Sequence, residues 1–298
     1  DLNTNRFTGF IPFFGSLPNL VLLDLAINKL EADDWGFVSS LSNCSRLNML
    51  ALDGNNLNGK LPSSIGNLSN SLDYLWLSSN KISGPIPPEI GNLKSLSTLY
   101  MDYNFFTGNI PPTIGKLYKL VDLSFAQNRL SGQIPDIVGN LVQLSMLELD
   151  HNSFSGRIPA SIARCTQLTI LNLAHNSLDG HIPSKILTIS TLSIELDLSN
   201  NYLSGGMPDE VGSLLHLKKI NMSNNRLTGN IPSTLGQCVD LEYLEMQNNL
   251  FAGRIPKTFA NLVSIKHMDI SGNNLSGKVP EFLKSLKSLH GLNLSFNH

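Results

Sequence analysis

With 298 residues, of which 41% are hydrophobic, 15% charged and 7% aromatic, the chain can bury a sizeable core. Its net charge of −2 gives no electrostatic reason to expect nucleic acid or an anionic membrane as a partner. No apolar run approaches the roughly 18–20 residues needed to span a bilayer, and no basic start followed by an apolar stretch marks a signal peptide.

In chain order, the first landmark is an asparagine at Asn5 that closes a Leu-x-x-Asn run, and the pattern returns to the last residues of the chain. Its positions are Asn5, Asn28, Asn55, Asn80, Asn104, Asn128, Asn152, Asn176, Asn201, Asn225, Asn249, Asn273 and Asn297. Eight of the twelve intervals are 24 residues, two are 25, one is 23 and one is 27, a regularity that predicts a stacked-repeat architecture of about a dozen units. Before each asparagine an alternation such as Leu147-Glu148-Leu149 predicts a short strand with leucines inward and the intervening residues outward. One strand per repeat would stack in parallel on its neighbours. The asparagine amide carries both donor and acceptor, so it can satisfy backbone groups that the turn out of the strand leaves unpaired. Two positions later an apolar residue, as in Asn128-Arg129-Leu130 or Asn152-Ser153-Phe154, returns to the core.

The repeat from Asn28 to Asn55 departs from the rest. It reads Lys29-Leu30-Glu31-Ala32-Asp33-Asp34-Trp35-Gly36-Phe37, is three residues longer than the norm, and continues as Ser39-Ser40-Leu41-Ser42-Asn43-Cys44. Elsewhere a second signature, Leu-x-Gly-x-Ile-Pro, follows the asparagine, at Gly84-Pro85-Ile86-Pro87, Gly108-Asn109-Ile110-Pro111, Gly132-Gln133-Ile134-Pro135 and Gly156-Arg157-Ile158-Pro159. Copies also lie at Ile11-Pro12, Ile182-Pro183, Ile231-Pro232 and Ile255-Pro256, with Leu61, Met207 and Val279 as aliphatic substitutes. Glycine permits a close or positive-φ backbone, and proline fixes an extended or helix-initiating bend. The Pro-x-x-Ile-Gly-x-Leu continuation predicts one short helical or 3₁₀ turn on the opposite, convex side.

The Gly-x-Ile-Pro element resembles the plant-specific leucine-rich repeats of receptor-like kinases, receptor-like proteins and polygalacturonase inhibitors, and the resemblance covers the entire chain. It implies an α/β solenoid: a right-handed superhelix with a parallel concave sheet and a second short sheet, forming one array over residues 1–298. The irregular repeat resembles an insertion in the subgroup containing the plant receptors for bacterial flagellin, elongation factor Tu and the rice bacterial-blight peptide. From these resemblances we expect the ectodomain of a plant receptor-like serine/threonine kinase on the outer side of the plasma membrane. It would bind a peptide or protein ligand and join a shorter leucine-rich repeat co-receptor for immune signalling. Terminal caps, transmembrane helix and kinase would lie outside this segment. A secreted polygalacturonase inhibitor, whose arrays are shorter, or a receptor-like protein without a kinase is the alternative.

Cys44, Cys165 and Cys238 each sit eleven residues before a repeat asparagine, where other repeats have leucine, and so read as buried substitutes for it. Spacings of five and three repeats, roughly 24 and 14 Å at ~4.8 Å per strand, are too wide for a disulfide. Sequons at Asn43, Asn67, Asn221, Asn274 and Asn293 are the candidate glycan acceptors. The outward strand positions gather Tyr74, Trp76, Tyr100, Asp102, Tyr103, Asp122, Glu148, Asp150, His151, Asn172 and His175 into one expected ligand surface. Its carboxylates would suit basic side chains or a free amine. Glu195, Asp197, Lys219, Tyr243, Glu245, His267 and Asp269 continue it. No phosphate loop, His-Glu-x-x-His or Gly-x-Ser-x-Gly occurs, and no metal-ligand spacing stands out, so neither catalysis nor a cofactor is expected of this segment.

Overall fold

The computed structural model describes every residue except Ser16 and Asp33, the latter within the irregular repeat. The chain divides into two compact units, Asp1–Ser153 and Phe154–His298.

In the first unit the Leu-x-Leu alternation yields three-residue strands at Leu22–Asp24, Met49–Ala51, Tyr74–Trp76, Thr98–Tyr100, Asp122–Ser124 and Met146–Glu148. They pair in parallel and in register. Met49, Tyr74, Thr98, Asp122 and Met146 therefore form one outward line, and Ala51, Trp76, Tyr100, Ser124 and Glu148 another. Between the lines, Leu50, Leu75, Leu99, Leu123 and Leu147 point inward and are fully buried. Each such leucine contributes about 1.5–3 kcal/mol relative to an exposed one.

The asparagine ladder does more than turn the chain. Asn104 Nδ2 donates to the carbonyls of Met101 (3.2 Å) and Asp102 (3.1 Å) in its own repeat and of Leu77 (2.9 Å) in the repeat before, while its Oδ1 accepts from the Ile82 N–H (3.0 Å). The same set recurs at Asn80 and Asn128. One buried amide thus ties two consecutive repeats together. The residue just before each of the thirteen asparagines takes a left-handed conformation. Glycine fills that place only at Gly54 and Gly272, and Ile27 holds it at φ 52° despite its branched side chain.

The second signature forms a second parallel ladder, as the resemblance implied. Ser83–Pro85, Phe105–Gly108 and Arg129–Gly132 pair in succession, with Gly84, Gly108 and Gly132 all at positive φ. An extended proline then leads into a five-residue 3₁₀ turn, as at Pro88–Asn92 and Pro112–Lys116. The glycine in these turns has a packing reason: a Cβ on Gly91 would overlap the Thr113 carbonyl oxygen of the next repeat. The irregular repeat replaces its 3₁₀ turn with a six-residue α-helix, Gly36–Leu41. Trp35 fills the core there, stacked on Phe37 and donating its Nε1–H to Asn58 O at 2.7 Å.

The second unit repeats the plan. Its first ladder comprises Ile170–Asn172, Glu195–Asp197, Lys219–Asn221, Tyr243–Glu245, His267–Asp269 and Gly291–Asn293, all parallel. A second parallel ladder runs from Ser153–Arg157 through Ser177–Gly180, Tyr202–Gly206, Arg226–Asn230 and Leu250–Gly253 to Asn274–Leu275. Cys44, Cys165 and Cys238 are fully buried in leucine positions, and no disulfide joins them. Burial pushes the Cys165 thiol up to about 11 and that of Cys238 to about 12.

Candidate ligand-binding surface

The first ladder of the Asp1–Ser153 unit carries the densest group of the expected residues. In-register pairing stacks the Trp76 and Tyr100 rings at 6.1 Å with 22° between planes, and Tyr74 meets Trp76 edge-on at 6.2 Å. These rings are half-buried, so part of each face is open to solvent. Tyr100 Oη lies 3.5 Å from Asp122 Oδ2, and burial followed by the Asp122 charge pushes the phenol up to about 12. Burial also raises Asp122, against the bond from Tyr100 that holds it down.

An open recess of about 310 Å³ lies beside the stacked rings, lined by Asp53, Trp76, Ser78, Tyr100, Asp102, Ser124, Met146 and Glu148. Ser78 Oγ donates to Asp102 Oδ1 at 2.5 Å. Asp53 is raised above the ordinary carboxylate range by burial and then by the charges of Asp24 and Asp102, against a backbone hydrogen bond that lowers it. Three buried polar atoms around the recess have no hydrogen-bond partner: Asp53 Oδ1, Trp76 Nε1 and Ser124 Oγ. Sequence reasoning missed Asp53, Ser78, Ser124 and Met146. Asp53 and Ser78 sit two residues before a repeat asparagine, as Asp102 and Asp150 do, so the phase was a usable signal.

Other expected residues need correction. Tyr103 and His151 are not strand positions but the left-handed residues of the turn, as is His175 in the second unit. Their side chains leave the chain where alternation no longer applies. Asp150 is buried, with His151 Nδ1 2.9 Å from its Oδ2. Asn172 and His175 belong to the Phe154–His298 unit, where Asn172 Oδ1 accepts from the Ala174 N–H at 3.1 Å and Asn200 Nδ2 lies 3.1 Å from His175 Nε2.

Three of the continuing set in that unit, Glu195, Asp197 and Lys219, engage one another. Lys219 Nζ is 2.7 Å from Glu195 and 4.0 Å from Asp197. Burial favours its neutral form, but the contacts with Glu195 and then Asp197 outweigh this and leave it raised. Two sequons fall into the same strand-end turn, in which an Asp or Asn accepts from the residue two places on. Asn221 Oδ1 accepts from Ser223 N and Oγ, its Nδ2 donates to Asp197 Oδ2 at 3.1 Å, and the residue is buried. The Asn221 Nδ2 that a glycan would use is thus engaged inside the fold. Asn293 repeats the arrangement, half-buried, with Nδ2 donating to Asp269 Oδ2 at 3.0 Å. Asn43, Asn67 and Asn274 are exposed.

The repeat geometry has matches among known proteins. A model described as a leucine-rich repeat region matches residues 32–192, and a leucine-rich repeat model matches 194–214, 216–238, 240–262 and 264–286. The chain belongs to the leucine-rich repeat family. This leucine-rich repeat chain is 52% identical over 65 residues to the receptor kinase-like protein Xa21 of Oryza sativa subsp. japonica, a match covering 21% of the chain and 6% of the relative. Over 67 residues it is 49% identical to a probable leucine-rich repeat receptor-like serine/threonine-protein kinase of Arabidopsis thaliana, covering 22% of the chain and 7% of that protein.

Solved structures resemble the leucine-rich repeat chain over nearly its full length. A TDR receptor structure superposes with a TM-score of 0.84 at 31% identity, covering 100% of this chain and 55% of that one. The Arabidopsis HAESA ectodomain, in complex with an N-terminally extended IDA peptide hormone, gives 0.81 at 31% identity, covering 98% and 52%. The chain thus spans about half of these receptor structures, and its matches cover well under a tenth of the two curated relatives.

Proposed function

We propose that this chain is the ligand-recognition part of a plant receptor-like kinase, binding a peptide or small protein on the outward face of the first ladder in residues 1–153. The observation that carries the reading is the Tyr74–Trp76–Tyr100 ring cluster, held half-exposed beside the recess. Exposed aromatics on a rigid sheet offer large contact area at small entropic cost, which favours an extended ligand. The HAESA neighbour supports the same kind of partner, having been solved with a peptide hormone and also with the hormone and the co-receptor SERK1.

On this reading the segment catalyses nothing. The parent protein phosphorylates substrates through a cytoplasmic serine/threonine kinase, sits in the plasma membrane with these repeats outside, and recruits a shorter leucine-rich repeat co-receptor for immune signalling. Asn43, Asn67 and Asn274 are the glycan acceptors, and deglycosylation of plant-expressed protein should shift mass at those sites. The binding claim is tested by selecting displayed random peptides on the chain and counter-screening on Trp76→Ala/Tyr100→Ala. Enriched peptides should bind that variant at least about tenfold more weakly, since aromatic hot spots carry 2 kcal/mol or more. A selection yielding only binders indifferent to the double variant would overturn the reading.

A further inference from the structure

The outward strand positions of the Asp1–Ser153 unit have a one-sided charge. From Leu22 to Asp150 the first-ladder strands carry Asp24, Asp122 and Glu148, the turns two residues past the strand ends add Asp53, Asp102 and Asp150, and neither set holds a lysine or arginine. Two of these acids, Asp53 and Asp102, stand together in the recess with the stacked Trp76 and Tyr100 rings beside them. The charges of Asp24 and Asp102 also raise Asp53, and no lysine or arginine lines the recess. The first ladder of the Phe154–His298 unit offers a contrast: there Lys219 answers Glu195 and Asp197 from within the chain.

A second observation points independently to an occupant. Ser124 is 2% exposed, lines the recess, and its Oγ has no partner. Trp76 Nε1, a donor, and Asp53 Oδ1, an acceptor, are likewise buried and unpartnered. Buried polar atoms are rarely left without hydrogen bonds, so these three describe the complement of a missing group. That group must donate to a carboxylate, supply an acceptor to an indole N–H, and carry positive charge over aromatic faces. A peptide bearing a cationic side chain meets all three demands: a guanidinium or ammonium toward Asp53 and Asp102, and a main-chain carbonyl toward Trp76.

We infer that the recess bounded by Asp53, Trp76, Tyr100, Asp102 and Ser124 is a specificity pocket for one basic side chain, arginine above all, of an otherwise extended peptide. The planar guanidinium both stacks on rings and bonds two acceptors, whereas an ammonium does only part of this. The inference rests on the reading of this face as the ligand surface and deepens it by assigning the chemistry of one ligand position.

The test uses acetyl-Gly-Arg-Gly-amide and its citrulline counterpart, which keeps the shape of arginine and removes the charge. Trp76 fluorescence reports the titration, because the other tryptophan, Trp35, is buried against Phe37. The arginine probe should bind at least tenfold more tightly than the citrulline probe, with the lysine analogue between them. Asp53→Asn should abolish that preference, and Asp102→Asn should reduce it. Circular dichroism and melting establish that each variant is folded, and Trp76→Phe, titrated by calorimetry because it lacks the fluorescent reporter, gives a second route should one not be, with weaker arginine binding expected. Equal affinity for the two probes, no binding of either, or a preference that survives Asp53→Asn overturns the inference. The peptide selection fails separately. Enriched peptides that need Trp76 and Tyr100 but lack basic residues sink the pocket and keep the face. Arginine binding without any face-dependent peptide does the reverse.

Discussion

Replacing Asn104 probes the ladder most directly, because each atom of its amide has an assigned job. Removal of the amide in Asn104→Ala leaves the Leu77, Met101 and Asp102 carbonyls with other donors, namely Asn80 Nδ2, Asn128 Nδ2 and the Ser79 N–H. The Ile82 N–H has no such alternative and becomes a buried donor without a partner, at about 1–3 kcal/mol. Three weakened carbonyl contacts add to this, so the alanine variant should lose about 2–4 kcal/mol. Asn104→Asp differs in kind. Its carboxylate can still accept from Ile82, but it would face three carbonyl oxygens at about 3 Å from a 4% exposed position, so an uncompensated buried charge of about 3–5 kcal/mol is expected at neutral pH. Protonation restores one donor. The aspartate should therefore have a folded-state pKa raised above its unfolded value. Its cost is full above the folded pKa and fades as pH falls toward the ordinary carboxylate range. Urea unfolding read by Trp35 and Trp76, both in the Asp1–Ser153 unit, measures this, and hydrogen exchange at the Ile82 amide reads it locally. An aspartate variant as stable as wild type at pH 7, or one whose deficit matches that of alanine at every pH, would refute the reasoning.

Further outcomes follow from other sites. Ile27→Asn should raise stability by about 1 kcal/mol, because a branched side chain sits at positive φ there, and an unchanged or lowered urea midpoint counts against strain at that turn. Gly91→Ala should cost at least about 1–3 kcal/mol through overlap with the Thr113 backbone, seen as a lower melting temperature. Asp53→Asn should raise the melting temperature at neutral pH, since the folded state holds this carboxyl's pKa up and so disfavours its charge. The gain should shrink as pH falls through that raised value, and a gain constant with pH contradicts the assignment. The three cysteines should resist thiol reagents in the folded protein and label only on unfolding.

The repeat, the first ladder and the buried cysteines were legible because each rests on spacing, and spacing survives in a sequence, whereas the second ladder was expected only through the resemblance. The asparagine period alone places the strands of the first ladder, while Gly-x-Ile-Pro pointed to a second sheet only by its likeness to plant leucine-rich repeats. The candidate site was only half legible. Tyr74, Trp76 and Tyr100 stand out as large aromatics at outward positions, whereas Ser124 and Met146 look like ordinary strand residues until the register aligns them with the recess. Tyr103 and His151 misled because alternation was carried past the strand end. The left-handed turn shows as glycine only at Gly54 and Gly272, too rarely to reveal its rule. Asn221 carries two readings for a related reason: Asn-x-Ser is at once a sequon and a self-bonding strand-end turn, and the sequence does not show which residues of this kind are buried.

The left-handed position before each asparagine has one more consequence. Nine residue types occupy it across thirteen repeats, from glycine to tyrosine, histidine and phenylalanine, while the backbone angle barely changes. The neighbouring amide holds the path of the chain, so the side chain in front of it need not be glycine. Such a position can exchange one chemical letter for another, repeat by repeat, without disturbing the line on which it is written.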